Sequence, residues 1–339
     1  QSSDLHLFGD LPAGLAQNDF AVRISAWLTP TVTGPHEVAI RGLGGRRLLV
    51  DGVPAADEWD AAGGVDVPTA LFEAKEKGGT FEFEAGQRVL ISAEAHSNTH
   101  DPSLVSIGCV SPEGRDLMAA AVAAAASADV AIVVVGTDET WESEGRDRKT
   151  VTLPGRQDEL VERVAAVNRK TVVVVNSGCP MDLPWADKVA AVIYAWLPGQ
   201  EFGNALADVL LGIVEPGGRL PLTLARRAAD FPAYDTTPGA DEELVYSEGV
   251  NVGYRGFDVA GVGPRFAFGH GLGYTTFKYE SLSLDADGLA AGEPLELRIP
   301  LRNPGTPPGQ EVTQVYASPQ GAPVPHPPPD LQPFARAGP

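Results

Sequence analysis

The sequence contains little cysteine and no long apolar run. Cys109 and Cys179 are the only cysteines among 339 residues. Two cysteines are too few for a disulfide framework or a four-cysteine zinc site, so both are expected to be small buried hydrophobic side chains. A disulfide between them is the alternative. No run of about 18 apolar residues occurs, which excludes a membrane-spanning helix.

Positive charge is also scarce. The sequence has 25 Lys and Arg residues against 45 Asp and Glu residues, so its formal net charge is −20. Nucleic acids and anionic membranes bind basic surfaces, and neither is therefore expected as a partner. This composition fits a soluble protein that acts on a neutral small molecule.

The glycine-rich loops that hold phosphate groups are missing. The turn after the apolar stretch at 129–136 reads "GTDETW", which is neither G-x-G-x-x-G nor G-x-x-x-x-G-K-S. Acidic residues at this turn would also repel a phosphate. No nucleotide is therefore predicted, and no other cofactor is indicated.

The hydrophobic pattern changes along the chain. Residues 1–110 alternate apolar and polar positions between Gly, Pro and Asp turns, which predicts a β-sandwich. After Arg115, strands alternate with helices, which predicts an α/β domain with a mostly parallel sheet. The strands are expected at 129–136, 171–176 and 189–196, and helices are expected in "RDLMAAAVAAAASA" and at 155–168 and 200–212.

The three strands of the α/β part are continuous Val- and Ile-rich runs. Such runs are typical of strands that are buried on both faces, so helices are expected on both sides of the sheet. Residues 226–275 have few periodic segments and are expected to form an ordered, aromatic-rich wrapping segment. Alternation returns from about residue 276, which predicts the first strands of another small sandwich.

The loop at 137–153 carries the reactive side chains of the α/β part. It lies in "GTDETWESEGRDRKTVTLPG" and follows the carboxyl end of a predicted strand. The loops "NSGCPMD" and "LPGQ" follow the next two strands. Ligands of open parallel sheets bind outside the carboxyl ends of the strands, so these three loops are expected to meet at one edge of the sheet.

A solvated acidic loop is the simplest interpretation of this stretch. Two features argue against it. Trp141 is suited to stacking on the face of a sugar. Arg146, Arg148 and Lys149 can pair with Asp147 and its neighbours, which would fold the loop and leave one glutamate unpaired. A single spare carboxyl group beside an aromatic ring is what a general acid for glycoside cleavage requires.

Metal binding is the competing role for the acidic side chains. Calcium loops space their ligands as in D-x-D-x-D-G, and that spacing is absent here. No metal site is therefore predicted. The carboxyl groups concerned are those of Glu139, Glu142, Glu144 and Asp147.

Several long motifs accompany this loop. "ADVAIVVVGTDETWESEGRDRKTVTLPG" is followed by "WLPGQEFG", "GRLPLT", "YSEGVNVGYR" and "FGHGLGYTTF". Together they resemble the α/β-sandwich domain of family 3 glycoside hydrolases, the β-glucosidase type, and the signatures that follow it. The family has Ser at the position of Gly273, which is a minor departure.

The resemblance extends to the rest of the chain and implies three domains. Residues 1–112 resemble a protective-antigen-type β-sandwich module through "FAVRISAWLTPTVTGPHEVAIRGLGGRRLLVDG". Residues 113–275 resemble the α/β-sandwich domain, and residues 276–339 resemble a fibronectin type III-like domain that is cut short. The fold class implied is a multidomain α/β plus all-β protein.

The resemblance also implies a reaction and its residues. Family members hydrolyse terminal β-D-glucosyl residues with retention, using an Asp nucleophile from a barrel domain and an acid/base Glu from the α/β sandwich. In "WESEG" that acid/base is Glu144, with Glu142 as the competitor. Trp141 is expected to bind the substrate, a small-molecule β-glucoside.

No barrel domain is present in this chain, and no signal-peptide pattern follows Gln1. The chain is therefore expected to be the C-terminal part of a longer enzyme and to be inactive alone. The barrel would come from the same protein or from a dimer partner. A non-catalytic carbohydrate-binding or scaffold protein is the alternative, although the intact "WESEG" favours the enzyme.

Overall fold

The computed structural model describes most of the chain as two compact units. The first comprises residues 1–128 and 143–147, and the second comprises residues 129–142 and 148–339. The division into three domains stays a prediction. The described residues are 2–7, 20–42, 44–60, 76–97, 103–112, 116–138, 140–144, 148–234, 236, 243–286, 293–318 and 329–338.

The described part of the first unit contains eight strands. They form two antiparallel four-stranded sheets, in the orders β1-β8-β3-β6 and β2-β7-β4-β5. The strands are β1 (Ser2–Leu7), β2 (Phe20–Leu28), β3 (Gly34–Gly42), β4 (Gly45–Val50), β5 (Val53–Glu58), β6 (Lys77–Phe83), β7 (Val89–Ser97) and β8 (Ser103–Val110).

Both sheets contribute to one hydrophobic core. Val38 and Ile40 of β3 pack in the same cluster as Leu48 of β4 and Val89 of β7, and each of these side chains is at most 1% exposed. The alternate residues of β3, such as Glu37 and Ala39, face outward and are more exposed. Period-two alternation places apolar side chains on one face of each strand, so the pattern of residues 1–110 folds as two sheets around a shared core.

Helix α1 (Leu117–Ser127) begins at Asp116, whose side chain accepts a hydrogen bond from the backbone N–H of Ala119 at 3.0 Å. Alanine is the strongest helix former, which explains why this stretch is helical as predicted. Ala125 is its one buried residue among those described. No helix in the described residues is long and apolar enough to cross a membrane.

The second unit is built on a parallel sheet. Strands β9 (Ala131–Gly136), β10 (Thr171–Asn176) and β11 (Ala191–Tyr194) pair in the order β11-β10-β9. Helices α2 (Gln157–Val167) and α3 (Phe202–Leu210) follow β9 and β11. The predicted elements of the α/β part are therefore confirmed, with ends that differ by a few residues.

The core of the second unit lies between helix α2 and one face of the sheet. Val161 and Val164 of α2 are buried, as are Val173 and Val175 of β10. Trp185 is fully buried as well, and its Nε1–H donates a hydrogen bond to Asp158 Oδ1 at 2.8 Å. A buried indole N–H needs such a partner.

The prediction that all three strands are buried on both faces is wrong for β9 and for β11, none of whose four residues is buried. Ala131, Val133 and Val135 are buried, but Ile132 and Val134 are 51% and 55% exposed. Strand β9 pairs with β10 alone among the described residues, so it is an edge strand with an uncovered face.

This uncovered face is expected to cause self-association of the 339-residue chain, because an exposed apolar edge strand is a template for pairing. Replacing both Ile132 and Val134 by Thr keeps the β-propensity and removes apolar surface, and should shift the chain towards monomer in sedimentation velocity. Val167→Thr, at an exposed site on α2, is the control. A double variant that associates as strongly as the wild type would contradict this prediction.

The described residues of the segment 226–275 contain a 3-10 helix (Ala228–Asp230) and one α-helix that the sequence pattern did not predict. Helix α4 (Tyr254–Ala260) has seven residues, too few to show a clear period. The rest of the described segment has mainly turns and one isolated bridge, between Leu224 and Phe266. The scarcity of regular elements is therefore as predicted, and the interpretation as a wrapping segment stays a prediction.

The described residues of the tail form three two-stranded sheets, and the tail belongs to the second unit. Arg219 Nη2 donates to Glu311 Oε2 at 3.0 Å, and the backbone N–H of Gln310 donates to Glu215 Oε2 at 2.6 Å. The fibronectin type III-like assignment stays a prediction. The strands are β12 (Lys278–Tyr279), β13 (Ser283–Leu284), β14 (Leu297–Arg298), β15 (Leu301–Arg302), β16 (Glu311–Ala317) and β17 (Asp330–Ala337).

Candidate active site

The acidic loop begins after Gly136, the last residue of β9, whose backbone is held in place by its neighbours. Gly136 pairs with Asn176 at the end of β10, and a Cβ atom on Gly136 would lie 1.9 Å from the carbonyl oxygen of Asn176. The side chain of Gln157, the first residue of α2, bonds both the N–H and the C=O of Gly136, at 2.7 and 2.9 Å. Only glycine fits here, and its position is held from two sides.

Glu142 connects this loop to the turn that follows β10. Its Oε1 accepts hydrogen bonds from Thr137 Oγ1 at 2.5 Å and from Ser177 Oγ at 2.6 Å. The backbone N–H of Gly178 donates to Oε2 at 3.0 Å, and Arg148 Nη1 lies 3.8 Å from Oε1. We call these five residues the Glu142 clamp.

The Glu142 clamp keeps its carboxylate ionised. Burial alone would raise the pKa of Glu142, but the hydrogen bonds from Ser177, Thr137 and Gly178 and the charge of Arg148 together hold the pKa below its ordinary value of 4.5. Donors that bond the charged form of a carboxyl group favour that form. Glu142 therefore carries no proton to donate near neutral pH.

Arg148 completes the folding of the loop. Its Nη2 donates to the carbonyl oxygen of Pro180 at 3.2 Å, and its Nη1 lies 3.4 Å from Met181 Sδ. Internal pairing of an arginine with a loop carboxylate is therefore confirmed, although the partner is Glu142. Glu139, Arg146 and Asp147 lie outside the described residues.

Glu144 differs from Glu142 in exposure and in contacts. Its side chain is exposed, and it makes no hydrogen bond or ion pair with the described residues. Trp141 is half-buried, and its backbone N–H donates to the carbonyl oxygen of Asp138 at 2.9 Å. Among the described carboxylates of this loop, those of Asp138 and Glu142 accept hydrogen bonds, whereas that of Glu144 is available.

The last residue of β11 and the loop that follows it add two aromatic side chains that the sequence analysis did not single out. The hydroxyl of Tyr194 donates to the carbonyl oxygen of Cys179 at 2.5 Å, and burial raises the pKa of Tyr194 to about 12. The ring of Trp196 lies 4.6 Å from that of Tyr194, and the backbone of Trp196 has a φ of +59°. A bulky residue in the left-handed region is strained, which is common at functional sites.

The three loops therefore converge as predicted. Leu197 of the third loop also approaches the second, because a Cβ atom on Gly178 would lie 2.9 Å from Leu197 Cδ1. The position of Trp196 directly after an apolar strand was the available sequence signal. Cys109 and Cys179 are not joined by a disulfide, so that alternative is wrong, and both are half-buried where the sequence predicted buried side chains.

Comparison with known proteins identifies this architecture. Residues 32–274 match the family model of the glycosyl hydrolase family 3 C-terminal domain. The chain belongs to glycosyl hydrolase family 3. The family resemblance of the sequence motifs is thereby confirmed.

Curated relatives of this family 3 chain are named as glycosidases. A β-glucosidase of Rhizobium radiobacter is 38% identical over 337 residues, which covers 96% of this chain and 41% of the relative. β-Glucosidase B of Emericella nidulans is 36% identical over 358 residues, which again covers 96% of this chain and 41% of the relative.

Solved structures support the same assignment. A β-glucosidase of Kluyveromyces marxianus in complex with glucose superposes with a TM-score of 0.82 and 28% identity, covering 99% of this chain and 40% of that one. A β-glucosidase of Streptomyces venezuelae in complex with D-glucose superposes with a TM-score of 0.65 and 29% identity, covering 99% of this chain and 43% of that one. The chain thus spans about two-fifths of the length of the relatives it matches.

Proposed function

We propose that this chain supplies the general acid and base of a retaining β-glucosidase, and that Glu144 is the group that performs both steps. The observation that carries the proposal is the contrast between the two loop carboxyl groups. A general acid must hold a proton near neutral pH and must reach the leaving group. The clamped and ionised Glu142 meets neither condition, and the exposed Glu144 is the available carboxyl group of "WESEG".

The reaction follows the retaining scheme. A carboxylate nucleophile attacks the anomeric carbon, and Glu144 gives its proton to the glycosidic oxygen as the bond to the leaving group breaks. A water molecule then attacks the glycosyl-enzyme, and its proton passes to Glu144. The two carboxyl groups should lie about 5–5.5 Å apart in the complete site.

The nucleophile is expected from the barrel domain that the family resemblance implies, either in the same protein or in a dimer partner. In retaining glycosidases the nucleophile and the acid/base act as a pair of carboxyl groups at short range. The acid/base function of Glu144 thus depends on the barrel as well as on this chain.

Trp141 is proposed as a contact for the sugar. Its ring is half-buried, so it offers a face for stacking while its backbone is fixed by Asp138. Aromatic faces are suited to the apolar C–H surface of a pyranose. The names of the relatives favour a terminal β-D-glucosyl residue as the substrate.

The proposal is tested by comparing the 339-residue chain with a chimera. In the chimera, this chain replaces the matching part of the R. radiobacter β-glucosidase, which is 38% identical to it. The chain alone should not hydrolyse an aryl β-glucoside, because it lacks a nucleophile opposite Glu144, whereas the chimera should.

Two outcomes of this comparison would contradict the proposal. Turnover by the pure chain that Glu144→Gln abolishes would mean that another carboxylate of this chain acts as the nucleophile. A folded chimera that binds glucose and does not hydrolyse glucosides would favour a carbohydrate-binding role instead.

A further inference from the structure

The Glu142 clamp contains an ionised carboxylate that the proposed reaction does not use. The side chain of Glu142 is 13% exposed and that of Arg148 is 15% exposed. Withdrawing a charge from water is unfavourable unless it is paired and hydrogen-bonded. A charge placed here, two residues before Glu144 in the chain, therefore calls for a role of its own.

We propose that Glu142 is a positioning residue, whose carboxylate fastens the loop bearing Glu144 to the Ser177–Gly178 turn and so fixes the place from which Glu144 transfers its proton. The positioning role rests on the proposed function of Glu144. The fastening itself can be measured without any catalytic activity.

The loop side of the clamp is a closed turn. The backbone N–H groups of Trp141 and Glu142 both donate to the carbonyl oxygen of Asp138 at 2.9 Å, which brings Glu142 back towards Thr137 at the end of β9. Glu144 follows only two residues later, and two residues of extended chain span at most about 7 Å. Holding Glu142 therefore confines the backbone of Glu144 to a small volume.

The sheet side of the clamp is equally fixed. Ser177 is fully buried, and Tyr194 holds the carbonyl oxygen of the next residue but one, Cys179. A Cβ atom on Gly178 would lie 2.6 Å from Glu142 Oε2, so the carboxylate occupies the space that a side chain would fill. The turn thus has no room to move towards the loop.

The chemistry of the clamp calls for a carboxylate. Every group that faces Glu142 is a donor, namely two hydroxyl groups, one backbone N–H and the guanidinium of Arg148. A glutamine can keep its carbonyl oxygen at the Oε1 position for Thr137 and Ser177, but its NH₂ group would then face the N–H of Gly178. Glu142→Gln should therefore weaken the clamp, and Glu142→Ala should remove it.

The fastening is tested by trypsin on the 339-residue chain. Cleavage after Lys149 should be slow in the wild type, at least tenfold faster in Glu142→Ala, and intermediate in Glu142→Gln. Gly178→Ala should also accelerate it, because the added methyl group displaces the carboxylate without changing any charge. The matched control is Glu162→Ala, which removes an exposed glutamate paired with Lys188 and should leave the rate unchanged.

Cleavage after Arg163, in helix α2, reports whether a variant is still folded. Acceleration at Lys149 with no change at Arg163 means local release of the loop. Equal rates after Lys149 in the wild type, Glu142→Ala and Gly178→Ala would overturn the fastening.

The positioning role is tested in the chimera. Glu142→Ala should lower kcat by about 10²-fold with little change in KM, because a displacement of about 1 Å of a catalytic group has an effect of this size. Glu142→Gln should retain activity within about tenfold of the wild type. At Glu144, in contrast, Gln should be as damaging as Ala, since neither residue carries a proton to donate.

These results separate the two proposals. Wild-type kcat in Glu142→Ala, with the loop released to trypsin, would overturn the positioning role and leave Glu144 as the general acid. Equal damage by Ala and Gln at Glu142, with full activity of Glu144→Gln, would instead overturn the proposed function while leaving the fastening intact.

Discussion

Glu144→Ala in the chimeric enzyme is expected to lower the rate on natural β-glucosides by about 10²–10⁴-fold, the usual contribution of general acid–base catalysis. The natural leaving group is a poor one and needs the proton that Glu144 delivers. A dinitrophenyl glucoside needs little protonation, so its first step should survive. The glycosyl-enzyme should then accumulate, because the attacking water has lost its base.

Azide provides the decisive measurement for this variant. A small anion attacks the anomeric carbon without a base, so azide should restore turnover of the dinitrophenyl glucoside and yield a β-glucosyl azide of retained configuration. Glu142→Ala keeps the base at Glu144 and should yield no such product. If azide rescues the Glu142 variant and leaves the Glu144 variant inactive, the acid/base assignment is wrong by two residues.

The edge of the sheet at which the candidate site lies could be predicted from the sequence, because this prediction requires only the direction of the strands. Continuous apolar runs at 129–136 and 171–176 indicated parallel strands, and the carboxyl ends of parallel strands lie at the same edge of the sheet. The structure brings the loops together there through contacts such as that of Ser177 with Glu142. The excess of acidic residues in one of these loops is what predicts that this loop carries the reactive groups.

The roles of individual side chains depended on contacts between residues that are distant in sequence. Glu142 and Ser177 are 35 positions apart, and no local pattern links them. The left-handed backbone of Trp196 is likewise invisible, because a tryptophan gives no sign of a positive φ. The uncovered face of β9 could not be predicted either, since its Val and Ile run is the same whether or not another element covers it.

The clamp should also make a large contribution to stability, one that depends on pH. Glu142→Ala leaves the nearly buried Arg148 and three donors without their acceptor, and removing such a charged partner costs about 3 kcal/mol in the free energy of unfolding. For a unit of about 200 residues this lowers the melting temperature by about 6–12 °C. Calorimetry at pH 7 on the wild type and the variant measures the difference.

The direction of the pH effect follows from the sign of the pKa shift. The pKa of Glu142 is lowered in the folded chain, so the folded state binds its proton less readily than the unfolded state does. The stabilisation is therefore fully present above the ordinary value of 4.5 and is lost as pH falls through the folded pKa. The gap in melting temperature between the wild type and Glu142→Gln should be constant from pH 7 to about pH 5 and should narrow below it.

This comparison isolates Glu142 because its charged and titratable neighbours keep their protons over that range. Arginine stays protonated, and the pKa of Tyr194 is raised to about 12, mainly by burial. Other carboxyl groups titrate in both the wild type and Glu142→Gln, so their effects cancel in the difference between the two melting temperatures. Glu162→Gln, which changes an exposed ion pair, should show a small gap that does not vary in this way. A wild-type advantage that grows below pH 4.5 would mean that Glu142 is protonated in the folded chain, and would remove the argument that excludes it as the general acid.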